Sequence, residues 1–208
     1  MPDHTVKQGE HLSGIAAKYG FRDYHTIWDH GNNAALKASR KNPNVIYPGD
    51  VLYIPEKQEK IVNRATGAVH VFQVNIQPLE LRLVVKDCNR LPRKNVPCIL
   101  TVDGVTETLT TDGDGLIHKF IPRTSQKGSV KIDGVEIPLK VGHLDPIDEN
   151  SGQVARLNNL GYDAGDPEHP DDDRFESAVE EFQCDNNLAV DGTCGAQTQA
   201  KLKDVHGC

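Results

Sequence analysis

Aromatic side chains supply only 5% of the 208 residues, with a single Trp and a single Met, so the chain cannot build a wide aromatic pocket or one large core. Long apolar runs are missing as well. No segment approaches ~18 consecutive apolar residues, and no membrane span is expected. The opening MPDHTVKQGEHLSG lacks the basic start and apolar stretch of a secretory signal. The expectation is a protein made in the cytoplasm without a signal peptide, which would need a non-Sec route for any work outside it. Positive charge is scarce: 23 Lys and Arg stand against 30 Asp and Glu, a net of −7, which argues against nucleic acid as a partner.

Catalytic and metal-binding patterns are absent in the same way. Nine His and five Cys are present, yet no CxxC, HExxH or Gly-rich nucleophile turn surrounds any of them. Cys88, Cys98, Cys184, Cys194 and Cys208 are odd in number, so at least one thiol stays unpaired within a single chain. The spacings 88/98 and 184/194 leave both free and bridged thiols open. Asp112 and Asp114 suggest a calcium loop until the twelfth position is counted, where Arg123 replaces the required Glu. Glu168-His169 with Asp171 to Asp173 reads as a solvated acidic loop. No metal, cofactor or catalytic residue is expected.

What is present is a division into parts. Residues 145–208 hold 15 acidic and 4 basic residues, a net of −11, whereas residues 1–144 hold 15 acidic and 19 basic, a net of +4. Near the same point a strand-type pattern gives way to a helical one. The expected organisation is multidomain α+β, with units over 1–58, 59–144 and 145–208.

In the first unit Leu12, Ile15, Ala16 and Tyr19 fall at i, i+3, i+4 and i+7, one face of a short helix ended by Gly20. Tyr24 to His30 predicts a second helix anchored by Ile27 and Trp28. Thr5 to Lys7 and Val51 to Ile54 predict short strands, the second stopped by Pro55. Val6, Gly9-Glu-His-Leu12, Ile15-Ala16, Tyr19-Gly20, Ile27-Trp28, Asn44 and Tyr47-Pro-Gly-Asp-Val-Leu-Tyr-Ile-Pro55 together resemble the LysM module. That resemblance implies a βααβ fold and binding of N-acetylglucosamine-containing polymers. Glu10-His11 stand where Asp-Thr is usual, and Gly31 to Asn42 is longer than most LysM modules have there. Loss of the N-cap hydroxyl is expected to cost about 0.5–2 kcal/mol unless another group caps the helix.

The second unit alternates apolar and polar residues over Val69 to Val74, Leu79 to Val85, Ile99 to Val102 and Gly128 to Ile132. The turn signals Asp103-Gly104, Asp112 to Gly115 and Asp133-Gly134 separate such runs, predicting an antiparallel β-sandwich. Thr111 to Gly115 resembles a turn of transthyretin- or immunoglobulin-like domains. The third unit predicts helices over Gln153 to Leu160, capped by Ser151, then Arg174 to Asn187 and Gln197 to Asp204. Val154-x-x-Leu157-x-x-Leu160-Gly-Tyr162, Ala178-Val-x-x-Phe-Gln183, Leu188-Ala-Val-Asp-Gly192 and Gly195-x-x-Thr198-x-x-x-Leu202 resemble the peptidoglycan-binding domain of cell-wall hydrolases. A three-helix bundle is implied, departing from the family by an acidic loop over Asp166 to Asp173.

The two resemblances imply a non-catalytic protein that binds peptidoglycan or chito-oligosaccharide and acts at the cell wall or periplasm. Glycan contact is implied for Gly9, Glu10, His11, Leu12 and Ser13 in one loop, and for Asn44, Tyr47, Pro48 and Gly49 in another. Gly9 admits close backbone approach and Tyr47-Pro48 can stack on a sugar ring; the structural alternative is a turn glycine and a half-packed tyrosine. A second wall-binding surface is implied around Gly161, Tyr162, Leu188, Asp191, Gly192 and Thr193, where Asp191-Gly192 is equally an ordinary turn. The alternative function is an adaptor, structural component or cargo of a contractile injection apparatus of the type VI secretion kind, with secretion-apparatus proteins as partners.

Overall fold

The computed structural model describes residues 3–59, 61–74, 76 and 78–208; the expected N-terminal boundary at residue 1 lies outside them. Among the described residues the fold is mixed α/β, with six α-helices and antiparallel sheets. Three separate apolar clusters form its cores.

The first cluster is enclosed by β1 (Asp3–Thr5), α1 (Leu12–Lys18), α2 (His25–Trp28), α3 (Ala34–Arg40) and β2 (Val51–Tyr53). β1 and β2 pair antiparallel with His4 opposite Leu52. Leu12, Ile15 and Ala16 bury the predicted face of α1 against Ile27, Trp28 and Leu52. The order departs from βααβ because the long stretch after α2 is helical: a 3-10 turn over Gly31–Asn33 leads into α3. Asn33 fixes that path. Its amide donates to the Ile27 carbonyl at 2.8 Å and the Tyr53 carbonyl at 2.9 Å, and its oxygen accepts from Tyr53 N–H at 2.8 Å. The Ala-rich sequence that follows is a good helix former.

The hydroxyl missing before α1 is replaced by His11, whose Nδ1 accepts from Gly14 N–H at 3.3 Å. The sequence left that cap open, and an imidazole supplies it.

The middle cluster draws on two sheets. β3 (Leu79–Val84) pairs with β6 (Leu116–Ile121), and β4 (Pro97–Val102), β5 (Val105–Thr110), β7 (Lys127–Ile132) and β8 (Val135–Lys140) lie in the order β5-β4-β7-β8. Leu100 and Val102 of β4, Val130 and Ile132 of β7 and Ile117 and Ile121 of β6 meet in one core. Asp103-Gly104 and Asp133-Gly134 make the two-residue hairpins, both residues of each at positive φ (49° and 83°; 50° and 85°). The turn at Asp112 carries the chain from β5 into the other sheet: Asp112 Oδ1 accepts from Asp114 N–H and Leu116 N–H, each at 2.8 Å. Val69 to Val74, expected as a strand, is not one. Residues 61–74 are irregular and exposed, with Val69 95% and Val71 92% accessible. Among the described residues their alternation meets no partner strand to complete a ladder.

The third cluster is built by α4 (Asn150–Leu160), α5 (Asp172–Asp185) and α6 (Ala196–His206) around Val154, Leu157, Val179, Phe182 and Leu202. Ser151 does not cap α4. Glu149 holds the N-cap position, and the Ser151 hydroxyl inside the helix donates to Asp145 at 2.6 Å. Gly161 ends α4 in the left-handed conformation, and Asp171 caps α5 by accepting from Arg174 N–H at 3.2 Å.

Polar contacts link the three regions. His11 Nε2 donates to the Ser125 carbonyl at 3.1 Å, and Arg123 donates to the carbonyls of Phe21 and Arg22 at 2.9 and 2.6 Å. On the other side Arg90 pairs with Glu181 and Asp185 and lies 4.0 Å from the Tyr162 ring centroid. Lys140 reaches Glu168 at 3.3 Å.

Candidate functional site

The two loops named for glycan contact leave the same end of the β1–β2 ribbon. Gly49 N–H donates to the Val6 carbonyl at 2.9 Å and Val6 N–H to the Asp50 carbonyl at 2.8 Å, so their bases are joined. The loop before β2 is rigidly held. Asp50 accepts from Arg40 Nε and Nη2 at 2.9 and 2.8 Å and from Tyr47 N–H at 2.8 Å, while the Arg40 guanidinium sits 5.4 Å from the Tyr47 ring. The Asp50 hydrogen bonds hold the Arg40 pKa above its ordinary value. Asn44 and Gly49 are exposed, and Tyr47 and Pro48 half-buried.

The loop before α1 presents less. Leu12 belongs to the core, and His11 is buried between its two hydrogen bonds. Gly9 is buried under His143, whose Nε2 would lie 2.8 Å from a Cβ added there. Glu10 is half-buried and accepts from Lys7 N–H at 3.0 Å, from His4 at 2.8 Å and from Lys18 at 3.3 Å. Of this loop, Ser13 and Glu10 keep partial access to solvent. Sequence reasoning missed Arg40, Asp50 and Asn33, whose roles depend on α3, an element whose Ala-rich sequence is a helix former but was not read as a helix.

At the other end of the chain Tyr162 is 6% exposed. It packs edge-on to Phe182, donates its hydroxyl to Asp185 at 3.1 Å and lies beneath Arg90. Burial and the Asp185 bond push its phenol up to about 12. The turn at Asp191 to Thr193 is organised from inside by Gln183. The Gln183 carbonyl accepts from Asp191 N–H at 2.9 Å and Gly192 N–H at 3.1 Å, and its amide donates to Asp191 Oδ1 at 2.8 Å and Thr198 at 3.0 Å. That bond holds the Asp191 carboxyl below its usual range. Gly161, Asp191 and Thr193 are exposed, Leu188 and Gly192 half-buried.

All five cysteines are free thiols. Cys208 Sγ lies 3.2 Å from His206 Nδ1, and Asn159 Nδ2 is 3.1 Å from His206 Nε2, a string that resembles a thiol-hydrolase constellation. Burial pushes the Cys208 thiol up and the His206 imidazole down to about 4, the reverse of the thiolate–imidazolium pair such chemistry needs. Among the described residues no three His, Cys, Asp or Glu side chains are grouped to hold a metal ion, and no helix is long and apolar enough to cross a membrane.

Residues 154–202 match the family model of a peptidoglycan binding domain, and residues 4–26 match that of the LysM domain. The chain is thus similar to the LysM domain over residues 4–26, at its N-terminal side, and to a peptidoglycan binding domain over residues 154–202. No curated protein and no solved structure matches it.

Proposed function

We propose that the protein is a non-catalytic binder of bacterial cell-wall peptidoglycan that grips the N-acetylglucosamine-containing polymer with modules at both ends of the chain. The observation that carries this reading is the pair of matches to wall-binding families in separate segments, each with its own buried core. Two attachment points on one chain raise retention on an insoluble polymer, because the second contact is intramolecular. In this reading the units span 1–58, 59–144 and 145–208. The middle one is an antiparallel β-sandwich that serves as a spacer, and the last is a three-helix bundle.

Glycan contact in the N-terminal module falls to Asn44, Tyr47, Pro48 and Gly49, since these retain exposure and their loop is pre-organised by Asp50, with half-buried Ser13 from the loop before α1. Gly161, Leu188, Asp191, Gly192 and Thr193 form the second surface, with Tyr162 as its buried support. The injection-apparatus alternative draws no support from either match. Pelleting of the purified chain with insoluble sacculi, beside chitin, tests the proposal. Retention on sacculi that falls on Tyr47→Ala is the expected result, and a chain that stays in the supernatant with both polymers rejects it.

A further inference from the structure

A cleft of about 190 Å³ opens where α1 meets the segment joining β6 to β7. Glu10, Gly14, Ile15 and Lys18 line one wall, and Thr124 and Gln126 line the other. Ile15 and Lys18 share one face of α1, so the wall follows the helix for most of its length. The opposing walls are fixed by struts: the His11 bond to the Ser125 carbonyl at 3.1 Å and the Arg123 bonds to the Phe21 and Arg22 carbonyls. Gly14 keeps the base of the cleft open, for a Cβ there would sit 3.3 Å from His11 Nε2 and 3.6 Å from the Arg123 carbonyl. The cleft is therefore preformed rather than closed on demand.

Its polar groups are unequally engaged. Glu10 is spent on Lys7 N–H, His4 and Lys18, with its side chain 16% exposed. Lys18 is 55% exposed and gives one ammonium hydrogen to Glu10, leaving donors directed to solvent. Thr124 and Gln126 are exposed, and their side chains bond to no other group among the described residues. The unspent capacity is thus the remaining ammonium donors of Lys18, one hydroxyl and one carboxamide. A neutral sugar offers no charge for Lys18, whereas a short peptide with a free carboxylate matches all three groups.

We propose that this cleft takes the carboxylate-bearing stem peptide of peptidoglycan, with Lys18 on a carboxylate and Thr124 and Gln126 on peptide groups, while the Asn44 to Gly49 loop faces the sugars. The proposal rests on the wall-binding reading above and adds to it a preference for peptide-bearing glycan.

Calorimetric titration of the full chain with a soluble muropeptide and with a peptide-free chito-oligosaccharide separates the two. Tighter binding of the muropeptide by roughly three- to fivefold is expected, the size of an exposed ion pair, with the difference shrinking as salt is raised. Lys18→Gln and Gln126→Ala, both at exposed side chains, should each reduce that preference and leave chito-oligosaccharide affinity unchanged. Equal affinity for the two ligands, or a preference that survives both substitutions, overturns the stem-peptide site alone. Failure of the chain to bind either ligand or sacculi overturns the wall-binding reading and this site with it.

Discussion

At His11 the imidazole must stay neutral to hold both of its bonds, since Nδ1 accepts from Gly14 N–H while Nε2–H donates to the Ser125 carbonyl. Burial lowers its pKa below the ordinary value near 6.5. Between those two values the unfolded chain binds the proton and the folded chain does not. Stability is therefore full above about pH 6.5 and lost as pH falls through the window. His206, half-buried and pushed down to about 4, adds a loss over the wider window from about 6.5 to about 4. Thermal midpoints compared at about pH 7.5 and about pH 5.5 should drop at the lower value. His11→Asn, which keeps a cap acceptor but cannot titrate, should flatten part of the drop while costing about 1 kcal/mol for the lost Ser125 bond. An undiminished drop in the variant would remove His11 from the account. Gly9 gives a second residue-scale prediction. At φ 81° with His143 Nε2 only 2.8 Å from an added Cβ, Gly9→Ala should cost at least ~1–2 kcal/mol and loosen the contact with Gly142 and His143. Denaturant titration will show that loss, whereas half-buried Tyr47→Ala should lose only the Arg40 contact, ~0.5–1 kcal/mol. Tyr47 is consequently the cleaner probe of glycan binding.

Among the elements, those that local chemistry specifies were legible. The apolar spacing of α1 and α5 and the Asp-Gly hairpins at 103–104 and 133–134 need only the residues themselves and their neighbours. What failed depended on partners distant in sequence. Val69 to Val74 alternates like a strand, but alternation encodes two faces and not the edge that would pair with them. The 3-10 turn was hidden because Asn33 works through carbonyls of Ile27 and Tyr53, one of them 20 residues away, whereas the Ala-rich sequence of α3 did carry a helical signal. Arg156, set among apolar positions of α4, is 1% exposed, its guanidinium donating to the carbonyls of Asp145, Gly152 and Cys208. Nothing in its neighbours foretold a buried cation. The exposed segment yields a prediction of its own: limited trypsin digestion should cut at Lys57 or Arg64 before any site within β4 to β8. Mass spectrometry of the first fragments decides this, and early cuts inside the sheets would mean that residues 61–74 are covered in solution.

At the scale of the whole molecule the charge step near residue 145 marks a change of core, yet the contacts across it show that the regions are not independent beads. The first region leans on the second, because the N-cap of α1 is anchored to the Ser125 carbonyl and Gly9 packs on Gly142. The third is different: the Arg90 contacts with Glu181, Asp185 and Tyr162 lie on its surface, while its apolar cluster and all the carbonyl partners of Arg156 fall within residues 145–208. A fragment of residues 145–208 should therefore unfold cooperatively on its own, and a fragment of residues 1–144 is the sound counterpart, since residues 1–58 alone would lose the His11 anchor. The two should then differ in how salt affects binding to sacculi. With a net of −11 against polymers that themselves carry carboxylates, the C-terminal fragment feels long-range repulsion, which shortens in reach from ~30 Å at ~0.01 M salt to ~8 Å at ~0.15 M. Its retention should rise over that range. On the proposed reading the 1–144 fragment, net +4, would hold neutral sugars through Tyr47 and backbone groups that salt barely touches, and would add an attraction at Lys18 that salt weakens. Its retention should stay level or fall slightly. Pull-down of both fragments across the series tests the pair of slopes together. A C-terminal fragment that binds at no salt concentration while remaining folded would mean that its acidic face serves a protein partner and that the N-terminal module alone holds the wall.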